Sequence, residues 1–185
     1  MSPADIDVVI DTHLHFDHCG WNTVREGGAL RTTFPKARYT LQEIEWRDAT
    51  HPTPLTRGGY HPENILPLGT SGQLQLIHGD VEVVPGIECR LTGGHTPGHQ
   101  LVMLRSEGKT ACFAGDVMCS VHHVRPNYNT AYDLNQQQTY DCKVKLLEEA
   151  AEGRWLVVFL HESETPVAFI EKRGDEYVAR PPRTK

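Results

Sequence analysis

The stretch Thr12-His13-Leu14-His15-Phe16-Asp17-His18 constrains this chain more than any other feature. Four side chains able to ligate a metal fall within six residues, directly after the apolar, β-branched run 6–10. That run reads as a strand. In an extended turn off a strand end, alternate residues point the same way, so His13 and His15 can address one point in space. Asp17 and His18 can then turn toward a second point nearby. Neutral imidazole and carboxylate are the ligands that Zn²⁺ and similar cations prefer. A single histidine in such a place is more often a satisfied structural residue. Four polar groups buried together without partners would be too costly for that reading.

The fold must therefore bring further ligands to this turn, and three places in the chain supply them. His95 is the first histidine of Gly93-Gly94-His95-Thr96-Pro97-Gly98-His99, a glycine-rich turn between two strand-like runs. Asp116 ends the run 110–114 through Ala114-Gly115-Asp116, and its two carboxylate oxygens can bridge two cations. His161 follows the apolar run 155–160. Each signal alone is weak, and the four segments in this order are strong.

Around them the chain reads as a mixed α/β domain. Residues 2–5 offer a capped single turn with Pro3 at the first helical position. Strands are expected at 39–41, 74–77, 81–84, 87–91, 101–105, 110–114 and 155–160, with a last hairpin 167–171 and 176–179 around Gly174-Asp175. Helices are expected at 42–49 and 136–152. The second has Tyr140, Val144, Leu147 and Ala151 as its apolar stripe and Gly153 as its C-cap. The Pro- and Gly-rich stretch 51–72 reads as a long irregular segment of the kind that forms lids. Residues 117–133 read as irregular too.

In sequence, HLHFDH, GGHTPGH, AGD and LHE resemble the metallo-β-lactamase superfamily over nearly the whole chain. The resemblance implies an αββα sandwich and two divalent metal ions, with zinc expected and iron, manganese or cobalt alternatives. It places His13, His15 and His95 on the first metal, Asp17, His18 and His161 on the second, and Asp116 across both. It implies a shared water, acidified toward neutrality and used as hydroxide. Asp17 and Asp116 are then the catalytic carboxylates, Asp17 passing a proton to the leaving group. His99 is expected to support the turn rather than bind metal. Family members usually carry a block of strands before the first motif, whereas only twelve residues precede His13. Residues 1–185 are therefore expected to form a single domain of this fold, N-terminally truncated, whose bare sheet face is covered by a second copy in a homo-oligomer.

The segment 13–22 with Gly115-Asp116-Val117-Met118 most resembles the lactonase and organophosphate-hydrolase-like branch. A small-molecule substrate follows, a lactone or related carboxylic ester, with promiscuity toward phosphoesters. The alternatives are a β-lactam-hydrolysing or phosphodiesterase member of the same fold, or a catalytically weak metal-binding relic. Some lactonases place a Tyr where this chain has Cys119. Phe16, Tyr60, His61, His123 and Tyr128 are candidates to line the cleft. The net charge of −6 and the lack of a basic stripe argue against a nucleic-acid partner. No apolar run is long enough to span a membrane. Five scattered Cys and no signal-like N-terminus point to a cytoplasmic protein.

Overall fold

A computed structural model describes residues 1–182. Its contacts divide the chain into two compact units, one of residues Met1–His78 and one beginning at Gly79.

The first unit starts with a 3₁₀ turn, Pro3–Asp5, closed by Asp5 Oδ2, which accepts from the Ser2 amide (2.7 Å) and hydroxyl (3.0 Å). Then come β1 (Val8–Ile10), α1 (Phe16–Cys19), β2 (Thr23–Glu26), β3 (Ala29–Thr32), β4 (Arg38–Gln42), α2 (Glu43–Thr50), α3 (Pro62–Ser71) and β5 (Leu74–Ile77). Strands β1, β4 and β5 form a parallel sheet in that order. Leu14, Leu41, Ile65, Leu68 and Tyr39 make the core beneath it. The hairpin β2–β3 was not foreseen from the sequence. Its turn is Gly27-Gly28, both at positive φ (59° and 84°), the backbone a tight two-residue hairpin turn demands.

Helix α3 corrects the expectation of one irregular stretch over 51–72. Pro62 sits at the start of the helix, where its missing N–H costs nothing, and Gly72 ends it at φ 75°. Pro67 lies inside, where its ring removes the amide that would bond the Glu63 carbonyl. The Thr23 hydroxyl donates to that carbonyl instead (2.9 Å). Proline and glycine here mark the ends of a helix as well as a loop.

The second unit is a seven-stranded sheet with one helix. It runs β6 (Val81–Val84), β7 (Ile87–Leu91), β8 (Gln100–Ser106), β9 (Lys109–Phe113), α4 (Gln136–Glu152), β10 (Leu156–Val158), β11 (Val167–Arg173) and β12 (Glu176–Arg180), in spatial order β12-β11-β10-β9-β8-β7-β6. Neighbours are antiparallel except β9 and β10, which are parallel and joined by the α4 crossover. Met103, Cys112, Val157, Ala168 and Ile170 of the sheet pack against Leu146, Leu147 and Ala150 of α4.

The buried face of α4 is Thr139, Lys143, Leu146, Leu147 and Ala150. Tyr140 and Val144, expected inside, are exposed. Two polar residues on the inner face turned the apparent stripe by one position. Among the described residues no helix is long and apolar enough to cross a membrane.

Candidate metal centre

In the first unit, β1 delivers the His-rich turn. The Asp11 amide continues the β1–β4 ladder by donating to the Thr40 carbonyl (3.2 Å). Beyond it, Thr12 Oγ1 lies 3.2 Å from His13 Nδ1, and His13 Nε2 lies 3.1 Å from His15 Nδ1. The His13 and His18 rings are 4.1 Å apart, and His18 Nε2 is 3.6 Å from Asp17 Oδ2. The structure thus brings His13, His15, Asp17 and His18 together. Asp17 and His18 sit on the single turn of α1.

Two groups not singled out in the sequence hold this turn. Glu45 of α2, fully buried, accepts from the Leu14 amide (2.9 Å) and from the Tyr60 hydroxyl (3.4 Å). The Gly59 carbonyl accepts from the Phe16 amide (2.9 Å). A Cβ on Gly59 would stand 2.5 Å from His15 Cδ2, so the residue must be glycine for the backbone to lie against that ring. Tyr60, expected to face substrate, is buried with its ring 5.2 Å from that of His15. Its chemistry is support. Phe16 is half exposed and stacks on His61 at 4.8 Å, so those two side chains form one aromatic platform. Buried Asp11 accepts from Asn22 (2.8 Å), and burial pushes its carboxyl up to about 7.

The second unit gathers His95, Asp116 and His161. Gly93 and Gly94 have positive φ, and Cβ atoms there would run into Gln138 and Thr139 of α4. The turn carrying His95 is therefore pressed on the start of that helix, with the Asn135 amide donating to the Gly94 carbonyl (2.9 Å). The 3₁₀ turn Gly115–Met118 carries Asp116 at the end of β9. Its Oδ2 is 3.4 Å from His95 Nε2 and its Oδ1 3.2 Å from His161 Nε2.

His99 Nε2 accepts from the Asp116 amide (3.0 Å), which puts the ring proton on Nδ1, facing Thr92 Oγ1 at 2.6 Å. His99 thus pins the Asp116 turn. Cys119 helps, its thiol donating to the Asp116 carbonyl (3.3 Å). Burial pushes that thiol up to about 12, so it stays protonated.

Asp133, buried in the irregular segment, accepts from His95 Nδ1–H at 2.9 Å. It is 38 residues from His95, and no spacing in the sequence announces the pair. The bond leaves the His95 lone pair on Nε2, the arrangement that metal-ligating histidines adopt. These spacings are ones that ligands of a shared cation would also adopt. An imidazolium on a carboxylate closes to about 2.7–2.9 Å, whereas the Asp116 contacts stay at 3.2–3.4 Å. Two ligands at about 2.0–2.1 Å on one tetrahedral ion have donor atoms roughly 3.3 Å apart. His13–His15, His95–Asp116 and Asp116–His161 all lie near that value.

The remaining candidates sit in the second unit. His123 Nδ1 is 2.9 Å from Ser120 Oγ, and burial holds its pKa down. Tyr128 is half exposed, with Arg125 donating to its hydroxyl (3.1 Å).

Residues 1–161 match the family model described as "Metallo-beta-lactamase superfamily". A curated N-acyl homoserine lactonase of Bacillus thuringiensis is 38% identical over 105 residues, which cover 57% of this chain and 35% of that protein. A solved probable metal-dependent hydrolase from Staphylococcus aureus superposes with a TM-score of 0.87 at 28% identity, over 100% of this chain and 66% of that one. A solved N-acyl homoserine lactone hydrolase, with the product N-hexanoyl-L-homoserine bound at its catalytic metal centre, gives a TM-score of 0.69 at 27% identity. That match covers 89% of this chain and 59% of that one. The chain spans at most about two thirds of these solved structures, and its match spans about a third of the curated lactonase.

Proposed function

The chain belongs to the metallo-β-lactamase superfamily, and on that premise we propose that it is a metal-dependent hydrolase that opens a lactone or a related carboxylic ester. The residues proposed to hold divalent ions are the seven that the resemblance assigns: His13, His15, Asp17, His18, His95, Asp116 and His161. Zinc is the first expectation. The carrying observation is Asp116, whose two oxygens each face a different imidazole at metal-ligand spacing while Asp133 fixes His95 from behind.

Ions held by these residues would supply Lewis acidity and a more acidic water. The chain's own groups do the rest. Asp116 holds the ligand cage together and is itself held by His99 and Cys119. Asp17, the exposed one of His13, His15, Asp17 and His18, is placed to hand a proton to the departing alkoxide. The Phe16–His61 platform offers an apolar surface to a carbon chain on the substrate. N-acyl homoserine lactones are the substrates to test first, since curated and solved relatives carry that name.

The test begins with elemental analysis of the purified protein. Turnover is then assayed with zinc, manganese or cobalt on an N-acyl homoserine lactone, a phosphotriester, a phosphodiester and a cephalosporin. Lactone opening above the metal-only background is expected, and Asp116→Ala should abolish it and release the metal. A protein that holds no transition ion and cannot be loaded with one overturns the reading. Turnover of only the phosphodiester or the cephalosporin moves the protein to another reaction on the same fold.

A further inference from the structure

Lys143 lies fully buried in the middle of α4, and nothing in the proposed reaction uses it. A lysine is almost never buried completely without a partner. Its Nζ donates to the Tyr128 carbonyl (2.5 Å), in the segment that carries Asp133. Two residues beyond Tyr128, the Thr130 amide and hydroxyl donate to Asp133 Oδ2 (3.2 Å) and Oδ1 (2.9 Å). The far end of the segment is tied as well. Gln136 Nε2 donates to the Thr130 carbonyl (2.7 Å), and Asn129 Nδ2 donates to the Gln136 carbonyl (2.9 Å). Asp133 therefore sits in a short closed loop with the α4 cap on one side and Lys143 on the other.

The charges agree with the geometry. Burial drives the amine down to about 8, and the Asp133 carboxylate is the largest influence holding it up. At neutral pH the group is an ammonium. A buried carboxylate needs hydrogen-bond donors or a compensating charge nearby.

We infer that Lys143 is a positioning residue for His95, acting through the segment Tyr128–Asp133: its ammonium anchors the Tyr128 carbonyl and balances the Asp133 carboxylate, which keeps the His95 proton on Nδ1 and Nε2 ready to ligate. The inference rests on the metal-centre reading for its purpose but not for its first readout. Lys143 touches neither substrate nor ion.

The experiment uses ¹⁵N-histidine-labelled protein, wild type and with Lys143→Met or Lys143→Gln, studied first without metal and then with zinc against a competing chelator. In the wild type, imidazole nitrogen shifts should report His95 as the Nδ1–H tautomer. Both substitutions should shift His95 toward a tautomer mixture and weaken zinc binding about tenfold or more, in line with loss of outer-shell partners. Lys143→Gln keeps a donor for Tyr128 but no charge, and should fall between the wild type and Lys143→Met. Combining Lys143→Met with Asp133→Asn should cost little beyond Asp133→Asn alone, because both act on one path. An Nε2–H tautomer in the wild type overturns the inference, even if neither variant folds. So does an unchanged His95 spectrum in a folded Lys143 variant, or full additivity of the two substitutions. If the wild type binds no zinc, the metal-centre reading fails, while the His95 shifts still decide the role of Lys143.

Discussion

Gly59→Ala tests whether the His-rich turn is built to ligate. The added Cβ would stand 2.5 Å from His15 Cδ2 and 2.7 Å from Nε2, against an ordinary contact that begins at 3.4 Å. Something must move by roughly 0.9 Å. The backbone at residue 59 is pinned from both sides, its carbonyl accepting from Phe16 and its amide donating to Thr56. The following residue, Tyr60, is buried. The partly exposed His15 ring therefore yields. Metal ligands tolerate displacements of about 0.2 Å, so a 0.9 Å shift removes His15 as a ligand. The expected loss in zinc affinity is at least the 10- to 100-fold that losing an outer-shell partner costs, or roughly 1.4–2.7 kcal/mol and more. Fold stability should hold, because Gly→Ala stiffens the unfolded chain by about 0.4–1 kcal/mol in the variant's favour and the ring has somewhere to go. Gly58→Ala is the control, since a Cβ there meets nothing within 4 Å. The assay is chelator competition for zinc, with a thermal melt of the metal-free protein beside it. Equal affinity in the Gly59 and Gly58 variants would refute the placement of His15 as a ligand.

Glu45→Ala strips the buried Leu14 amide and Tyr60 hydroxyl of an acceptor. At about 1–3 kcal/mol for each of the two buried groups so exposed, Tm should fall by roughly 4–24 °C for a chain of this size. Glu45→Gln, which retains an acceptor oxygen, should lose less than half of that, and a melt within 1 °C of wild type for the Ala variant would contradict the assigned bonds. Lys143 also has a pH signature. Its amine falls to about 8 in the fold from 10.5, so between those values the unfolded chain binds more protons and this group's contribution to stability rises with pH. Buried Cys89, Cys112 and Cys119, each pushed up to about 12, act in the opposite sense above pH 9. The difference in denaturant stability between wild type and Lys143→Met should therefore grow in the wild type's favour, on the order of 1–3 kcal/mol from pH 8 to 10.5. A flat difference would deny the depressed amine.

The strands of the second unit were legible because each is an apolar or alternating run closed by a turn pair: Pro85-Gly86, Glu107-Gly108, Gly174-Asp175. Gln136–Glu152 was legible as a helix by length and period. Its inner face was not, because Thr139 and Lys143 are polar and hydropathy cannot see a buried lysine whose partner is a backbone carbonyl 15 residues away. The helix Pro62–Ser71 was hidden in the same way. Its internal proline is tolerated only because the Thr23 hydroxyl, 40 residues upstream of Glu63, takes the orphaned carbonyl. The hairpin at 23–32 had its Gly-Gly turn in plain view, but its strands, Thr-Val-Arg-Glu and Ala-Leu-Arg-Thr, bury too little to show the usual alternation.

The site divides along the same line. The residues proposed as ligands announce themselves, since imidazole and carboxylate at a strand end have few cheaper explanations. The groups that aim them do not. Asp133, Glu45, Gly59 and Lys143 are ordinary in type and distant in sequence from what they hold. Each works through contacts that exist only after folding: hydrogen bonds to a ring nitrogen, an amide or a carbonyl, or a missing Cβ. Tyr60 shows the converse error. An aromatic beside a glycine in a loop reads as substrate-facing, yet its hydroxyl is committed to Glu45 and its ring to His15. Composition and spacing carry the chemistry a ligand set needs, whereas the orientation of that set is a property of long-range contacts. A substitution at Asp133 or Gly59 should therefore weaken metal binding, although nothing in the local sequence marks either position.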